Sequence, residues 1–146
     1  MKYGIYYAYW EKEWNGDYKY YIDKISKLGF DILEISCGAF SDYYTKDQEL
    51  IDIGKYAKEK GVTLTAGYGP HFNESLSSSE PNTQKQAISF WKETLRKLKL
   101  MDIHIVGGAL YGYWPVDYSK PFDKKRDLEN SIKNMKIISQ YAEEYD

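Results

Sequence analysis

A short apolar run, a loop rich in glycine or aromatic residues, and an amphipathic helical stretch follow one another four times along these 146 residues. The apolar runs begin at Tyr3, Asp31, Val62 and Ile103. None meets the next through a hairpin-length turn, so parallel strands joined by helical crossovers are the natural reading. Right-handed crossovers place every post-strand loop on one face of the sheet. Repeats of this kind build α/β barrels, whose chemistry sits on those loops. The predicted fold class is therefore α/β, four βα units of a (β/α)8 TIM-barrel type, or half a barrel.

The spacing predicts a first strand over Tyr3–Ala8, an aromatic loop from Tyr9 to Gly16, and a helix over Asp17–Lys27. Tyr18, Ile22, Ile25 and Leu28 share one face of that helix, and Gly29 ends it. A second strand covers Asp31–Ser36. Thr45-Lys46-Asp47-Gln48 has capping-box form ahead of a helix carrying Leu50, Ile53 and Ala57, which Gly61 stops. The third strand, Val62–Ala66, runs into Gly67-Tyr68-Gly69-Pro70 and a serine-rich loop. Pro81-Asn82-Thr83 then opens a helix striped by Ala87, Trp91, Leu95 and Leu98. Ile103–Val106 is the fourth strand, followed by a loop from Gly107 to Pro115. The last helix starts near Lys124, with Leu128, Ile132, Met135, Ile138 and Ala142 on its inner face. No second domain and no low-complexity linker interrupt the pattern.

Charge argues for no polyanionic partner. Lys plus Arg number 20 against 22 Asp plus Glu, which leaves no electrostatic footprint for nucleic acid or an anionic membrane. No apolar stretch is long enough to cross a bilayer, and Met1-Lys2-Tyr3-Gly4-Ile5 lacks the apolar core of a signal peptide. Cys37 stands alone, which suits a reducing compartment. A soluble, cytoplasmic protein is expected.

Candidate chemistry gathers at the carboxyl ends of the strands: Tyr6 to Trp14, Glu34 to Cys37, Gly67 to Pro70, and Gly107 to Trp114. Glycines allow close approach of a ligand to backbone. Trp14 and Trp114 offer flat faces, and tyrosine hydroxyls donate and accept hydrogen bonds. Such a set suits a carbohydrate pocket; it equally describes a structural glycine-rich turn with two rim tryptophans. Glu34, near the end of a buried strand, is costly unless partnered. It either orients a ligand or pairs with backbone or a tyrosine. Cys37 reads as a small buried hydrophobe. The two histidines, His71 and His104, do not gather the three or four side chains a metal site needs, and His104 reads as a hydrogen-bonded core residue of the fourth strand. Neither phosphate-binding glycine motif is present.

Several stretches taken in order resemble the ketose 3-epimerases of the D-tagatose 3-epimerase/D-psicose (allulose) 3-epimerase family. They are Gly4-Ile5-Tyr6-Tyr7-Ala8-Tyr9-Trp10 with Trp14; Leu28-Gly29-Phe30-Asp31-Ile32-Leu33-Glu34-Ile35; Gly67 with Gly69-Pro70; and Gly107-Gly108-Ala109-Leu110-Tyr111 with Tyr113-Trp114-Pro115. The resemblance implies that residues 1–146 are the N-terminal half of a TIM-barrel sugar epimerase domain. It implies a divalent metal, usually Mn2+, and inversion at C3 of a free ketohexose such as D-fructose or D-psicose. By position, Tyr6, Trp14, Gly67, Ala109 and Trp114 would line the substrate site, with Glu34 near its floor.

The family's metal ligands and both catalytic glutamates belong to the second half, so no catalytic and no metal residue is expected here. The chain alone is expected to be inactive, working with a second half-barrel or another copy of itself. The competing readings are a non-catalytic, self-associating sugar-binding half-barrel and a barrel-type DNA-repair nuclease. The nuclease would want histidines at the ends of strands three and four and a basic surface, and the sequence supplies neither.

Overall fold

The computed structural model describes residues 1–119 and 122–145. Its strands are β1 (Gly4–Tyr6), β2 (Ile32–Ser36), β3 (Thr63–Tyr68) and β4 (Val106–Gly108). They form one sheet in the order β1-β2-β3-β4. β1, β2 and β3 pair in parallel, with Tyr6 opposite Glu34, Glu34 opposite Thr65, and Ser36 opposite Gly67. The helices are α1 (Tyr18–Leu28), α2 (Ala39–Asp42), α3 (Asp47–Glu59), α4 (Pro81–Leu100) and α5 (Lys124–Tyr145). The strand–helix alternation expected from the sequence is thus present four times. Among the described residues no helix is long and apolar enough to cross a membrane.

Backbone packing divides the chain into two compact units. One comprises Met1–Gly67 with Lys97–Val106, the other Tyr68–Arg96 with Gly107–Asp146. In the first unit, alternation along β2 decides what is buried. Leu33 and Ile35 are fully enclosed, as are Ile22 and Ile25 of α1, which packs on β2. Each such aliphatic side chain contributes roughly 1.5–3 kcal/mol by leaving water. Asp17 caps α1, accepting from the backbone N–H groups of Lys19 and Tyr20 at 3.0 and 3.2 Å. Gly29 ends the helix at φ +80°, a conformation that suits glycine. Leu28, expected on the inner face, is 58% exposed; Tyr21, two turns earlier, is buried in its stead.

Three sequence expectations need correction here. β1 is only half as long as expected, because Tyr7–Tyr9 form a 3-10 turn instead of extending the strand. Thr45 does not cap α3: the N-cap is Lys46, without a side-chain bond, and the helix start is supported by Asp47 and Glu49 in its first turn. β4 begins at Val106, so His104 precedes the strand. It lies exposed, 3.1 Å from Asp102, and is no core residue.

In the second unit, Trp91 and Ala87 of α4 are buried as their spacing implied. α5 departs from its pattern. Leu128 and Ile132 are 57% and 49% exposed, Ala142 is exposed, and the buried residues are Ser131, Asn134 and Ile138. Its polar residues face carbonyls of the serine-rich loop and of the loop after β4, which need donors. Asn134 donates to Leu76 O at 2.8 Å, Asn130 to Ser78 O at 3.1 Å, and Ser131 to Tyr111 O at 2.8 Å.

Candidate functional site

Tyr6, Trp14, Gly67 and Glu34 fall in the first unit: Tyr6 ends β1, Trp14 lies on the loop after it, Glu34 is the middle residue of β2, and Gly67 is near the end of β3. Ala109 and Trp114 fall in the second, on the loop after β4.

The first unit brings Tyr6 and Trp14 together, their ring centroids 6.4 Å apart and tilted by 39°. Trp14 is 68% exposed and presents its indole to solvent. Its loop is held by phenols. Fully buried Tyr7 donates to Trp14 O at 2.7 Å, and Tyr44 donates to Gly16 O at 2.7 Å. Tyr21 hydrogen-bonds Glu11, and Trp10 stacks on Tyr21 beneath the Lys24 ammonium, which lies 4.5 Å from the indole centroid. Burial raises the pKa of Tyr7 well above the usual phenol range, and Tyr6 is raised by burial more modestly. Both rings therefore keep their O–H at neutral pH. Sequence reading missed Tyr7 and Tyr44 as clamps, and the available signal was their position on either side of an otherwise unsupported loop.

Glu34 stands beside Tyr6 in register and reaches across to β3. A Cβ built on Gly67 would lie 2.8 Å from Glu34 Oε1, so the glycine leaves room for this carboxylate. Cys37 is buried, and burial pushes its thiol up to about 12. It is inert as a nucleophile at neutral pH, in line with the sequence reading.

The second unit builds its loop differently. Ala109 N donates to Tyr68 O at 3.1 Å and Trp114 N to Pro70 O at 2.7 Å. Gly108 has φ +107°, and a side chain there would collide with Tyr68 O. A Cβ on Gly69 would meet Trp114 Cβ at 2.9 Å. These two glycines let the β4 loop lie against the β3 loop. Trp114, 61% exposed, sits on top. His71 is exposed at the start of a short turn, its N–H donating to Glu74 at 2.9 Å. Among the described residues no three of His, Cys, Asp and Glu come together as a metal would require. The residues present do not fit a divalent-metal site.

Comparison with known proteins follows the same outline. The family described as xylose isomerase-like TIM barrel matches residues 22–146. A D-psicose 3-epimerase from Enterocloster bolteae is 56% identical over 146 residues, covering 100% of this chain and 48% of the relative. One from Ruminiclostridium cellulolyticum is 48% identical over 143 residues, covering 98% and 48%. The crystal structure of a D-psicose 3-epimerase with D-tagatose, from Clostridium cellulolyticum H10, superposes with a TM-score of 0.95 at 47% identity, covering 99% of this chain and 50% of that one. The chain spans about half the length of the curated relatives it matches. An L-ribulose 3-epimerase at 15% identity and a TM-score of 0.82 shares the fold. With its four strand–helix units in a single sheet, the chain belongs to the xylose isomerase-like TIM-barrel family.

Proposed function

We propose that this chain is the first half of a ketose 3-epimerase-like barrel domain acting on a free ketohexose of the D-fructose/D-psicose type, and that its share of the work is the sugar-facing wall. The observation that carries this reading is the 56% identity with a D-psicose 3-epimerase, sustained over all 146 residues. The wall would comprise Tyr6, Trp14 and Gly67 in one unit and Ala109 and Trp114 in the other. Support comes from the exposed indole faces, which suit the apolar faces of a sugar ring or chain, and from the un-ionised phenol of Tyr6 beside them.

Inversion at C3 removes a proton and returns it to the opposite side, which calls for two acid–base groups flanking that carbon. We assign no catalytic residue within this chain. The manganese implied by the resemblance would need ligands from outside the described residues, which hold no cluster of the required kind. The acid–base pair and the metal ligands are assigned to a second half-barrel. A free, buried Cys37 agrees with a cytoplasmic setting.

The test is a hybrid in which these 146 residues replace the matching segment of the Enterocloster bolteae enzyme. The hybrid should interconvert D-fructose and D-psicose with Mn2+, and the isolated chain should not. A folded but inactive hybrid would remove the proposal.

A second reading, a sugar-binding half-barrel that pairs with its own copy, draws support from the second unit. Tyr111, Trp114, Val116, Tyr118, Leu128 and Ile132 are all exposed there, and apolar surface of this kind invites a partner. Light scattering separates the two: a stable dimer of the pure chain favours self-pairing, and a well-folded monomer rejects it.

A further inference from the structure

Asn15 and Gly16 form the one Asn-Gly pair in the sequence; Asn73, Asn82, Asn130 and Asn134 precede Glu, Thr, Ser and Met. Those four asparagines lie in helical turns: Asn73 in the 3-10 turn Phe72–Glu74, Asn82 in α4, and Asn130 and Asn134 in α5. Asn15 and Gly16 lie between β1 and α1, in neither helix nor strand, and both are partly exposed.

The difference is chemical. An asparagine amide is open to attack by the backbone nitrogen of the next residue when that nitrogen can turn toward Cγ. A helix holds the nitrogen away, because its N–H points along the axis to an earlier carbonyl. A Cβ on the next residue also obstructs the approach, whereas glycine has none and turns freely. In the attack the bond from Gly16 N to Asn15 Cγ forms and the Cγ–Nδ2 bond breaks. The Gly16 amide proton leaves with that nitrogen as ammonia. Water then opens the cyclic imide. Opening at Cγ gives aspartate; opening at the Asn15 main-chain carbonyl gives isoaspartate, whose main chain runs through the former side chain.

The packing around the pair governs both its persistence and the fate of its product. A Cβ on Gly16 would press 3.1 Å from ring carbons of Tyr7 and Tyr21, both buried, so a bulkier residue that would slow the attack is opposed by packing. Asn15 Nδ2 donates to Tyr43 Oη at 3.0 Å, and Tyr43 is itself anchored through its N–H to Ala39 O at 3.0 Å. This bond holds the carboxamide and slows the attack. After conversion the Tyr43 hydroxyl reverses role and donates to the new carboxylate, so aspartate is accommodated. Isoaspartate is not. Tyr7 and Tyr44 pin the carbonyls of Trp14 and Gly16 at 2.7 Å each, and an extra main-chain carbon between those two points makes one clamp yield.

We propose that Asn15 is a site of spontaneous deamidation, with Tyr43 as the brake on its rate and displacement of Trp14 as the consequence of isoaspartate formation. This goes beyond the sugar-binding reading and does not depend on it.

The experiment incubates the full chain at mildly alkaline pH, digests it at intervals, and reads each asparagine by peptide mass spectrometry with an isoaspartyl-specific methylation assay. Asn15 should convert first, adding one negative charge to the net −2 on ion exchange. The Trp14 indole N–H signal in NMR should split in proportion to the isoaspartate formed; an unsplit signal would overturn the displacement. Asn15→Gln should keep its starting charge over the same interval. Tyr43→Phe should convert a few-fold faster, roughly the worth of one hydrogen bond, and an equal rate would overturn the role of Tyr43 as brake. If Asn15 stayed amidated in the folded chain while the urea-unfolded chain converted there, or if Asn130 converted ahead of it, the site itself would be overturned. The unaltered protein gives that readout directly, so it does not depend on any variant folding.

Discussion

The loop after β1 and the loop after β4 each display an exposed tryptophan, and they are held by opposite means. Residues 7–16 are tied down by side chains: phenol hydroxyls reach the carbonyls of Trp14 and Gly16, and Trp10 stacks on Tyr21 with the Lys24 ammonium close to both rings. The loop carrying Ala109 and Trp114 is tied down mainly by backbone. Glycines at 69 and 108 let main chain meet main chain at Ala109 and Trp114, and one side chain, Ser131, adds a bond to Tyr111 O. Tyrosine clamps can be weakened one hydroxyl at a time. A glycine contact has no intermediate state, since the first added carbon already collides.

The sharpest way to break this contrast is Gly108→Ala. Its φ of +107° and its collision with Tyr68 O act together, and backbone strain of this kind costs on the order of 1–3 kcal/mol before the clash is counted. A loss of about 3 kcal/mol in urea denaturation is expected; a loss below about 0.5 kcal/mol would show that the β4 loop is not glycine-held.

Tyr7→Phe probes the other loop and should cost less, about 1 kcal/mol, the usual worth of one hydrogen bond. The same variant tests a pH dependence. The pKa of Tyr7 is raised in the folded state, chiefly by burial. Its contribution is therefore complete below the unfolded phenol value near 10 and is lost as the pH climbs toward the folded value. The unaltered protein should lose stability as pH rises above about 10, and Tyr7→Phe should lose measurably less over the same range. Identical alkaline profiles would mean that the Tyr7 hydroxyl is not enclosed as described.

What could be read from the sequence divides along the same line. The helical stripes of α1, α3 and α4 were legible because burial follows a local period, and Ile22, Leu50, Ile53 and Trp91 are where that period put them. α5 misled because part of its inward face is polar: Asn130, Ser131 and Asn134 answer carbonyls, more than fifty residues away in the case of Leu76 and Ser78, and no periodicity scale anticipates a partner at that distance. Thr45 misled for a related reason. A capping sequence is permissive, and here the chain enters α3 through Lys46 instead. Of the site, Tyr6 and Trp14 were visible as rings at a strand end, and they do approach one another. The clamps that fix Trp14 were not visible, since Tyr7 and Tyr44 look like any other tyrosine until the loop is folded.

By itself the amino-acid order determined the alternation of strand and helix, the parallel sense of the strands, the glycine stop at residue 29 and the aromatic character of the strand ends. These properties are set by neighbours a few residues apart, through side-chain period and backbone sterics. The tertiary structure alone decided that Gly67 makes room for Glu34, that Gly108 must carry no side chain beside Tyr68, and that His104 belongs to the surface. The first two depend on the register between strands far apart in the chain, and register is fixed only when the sheet assembles.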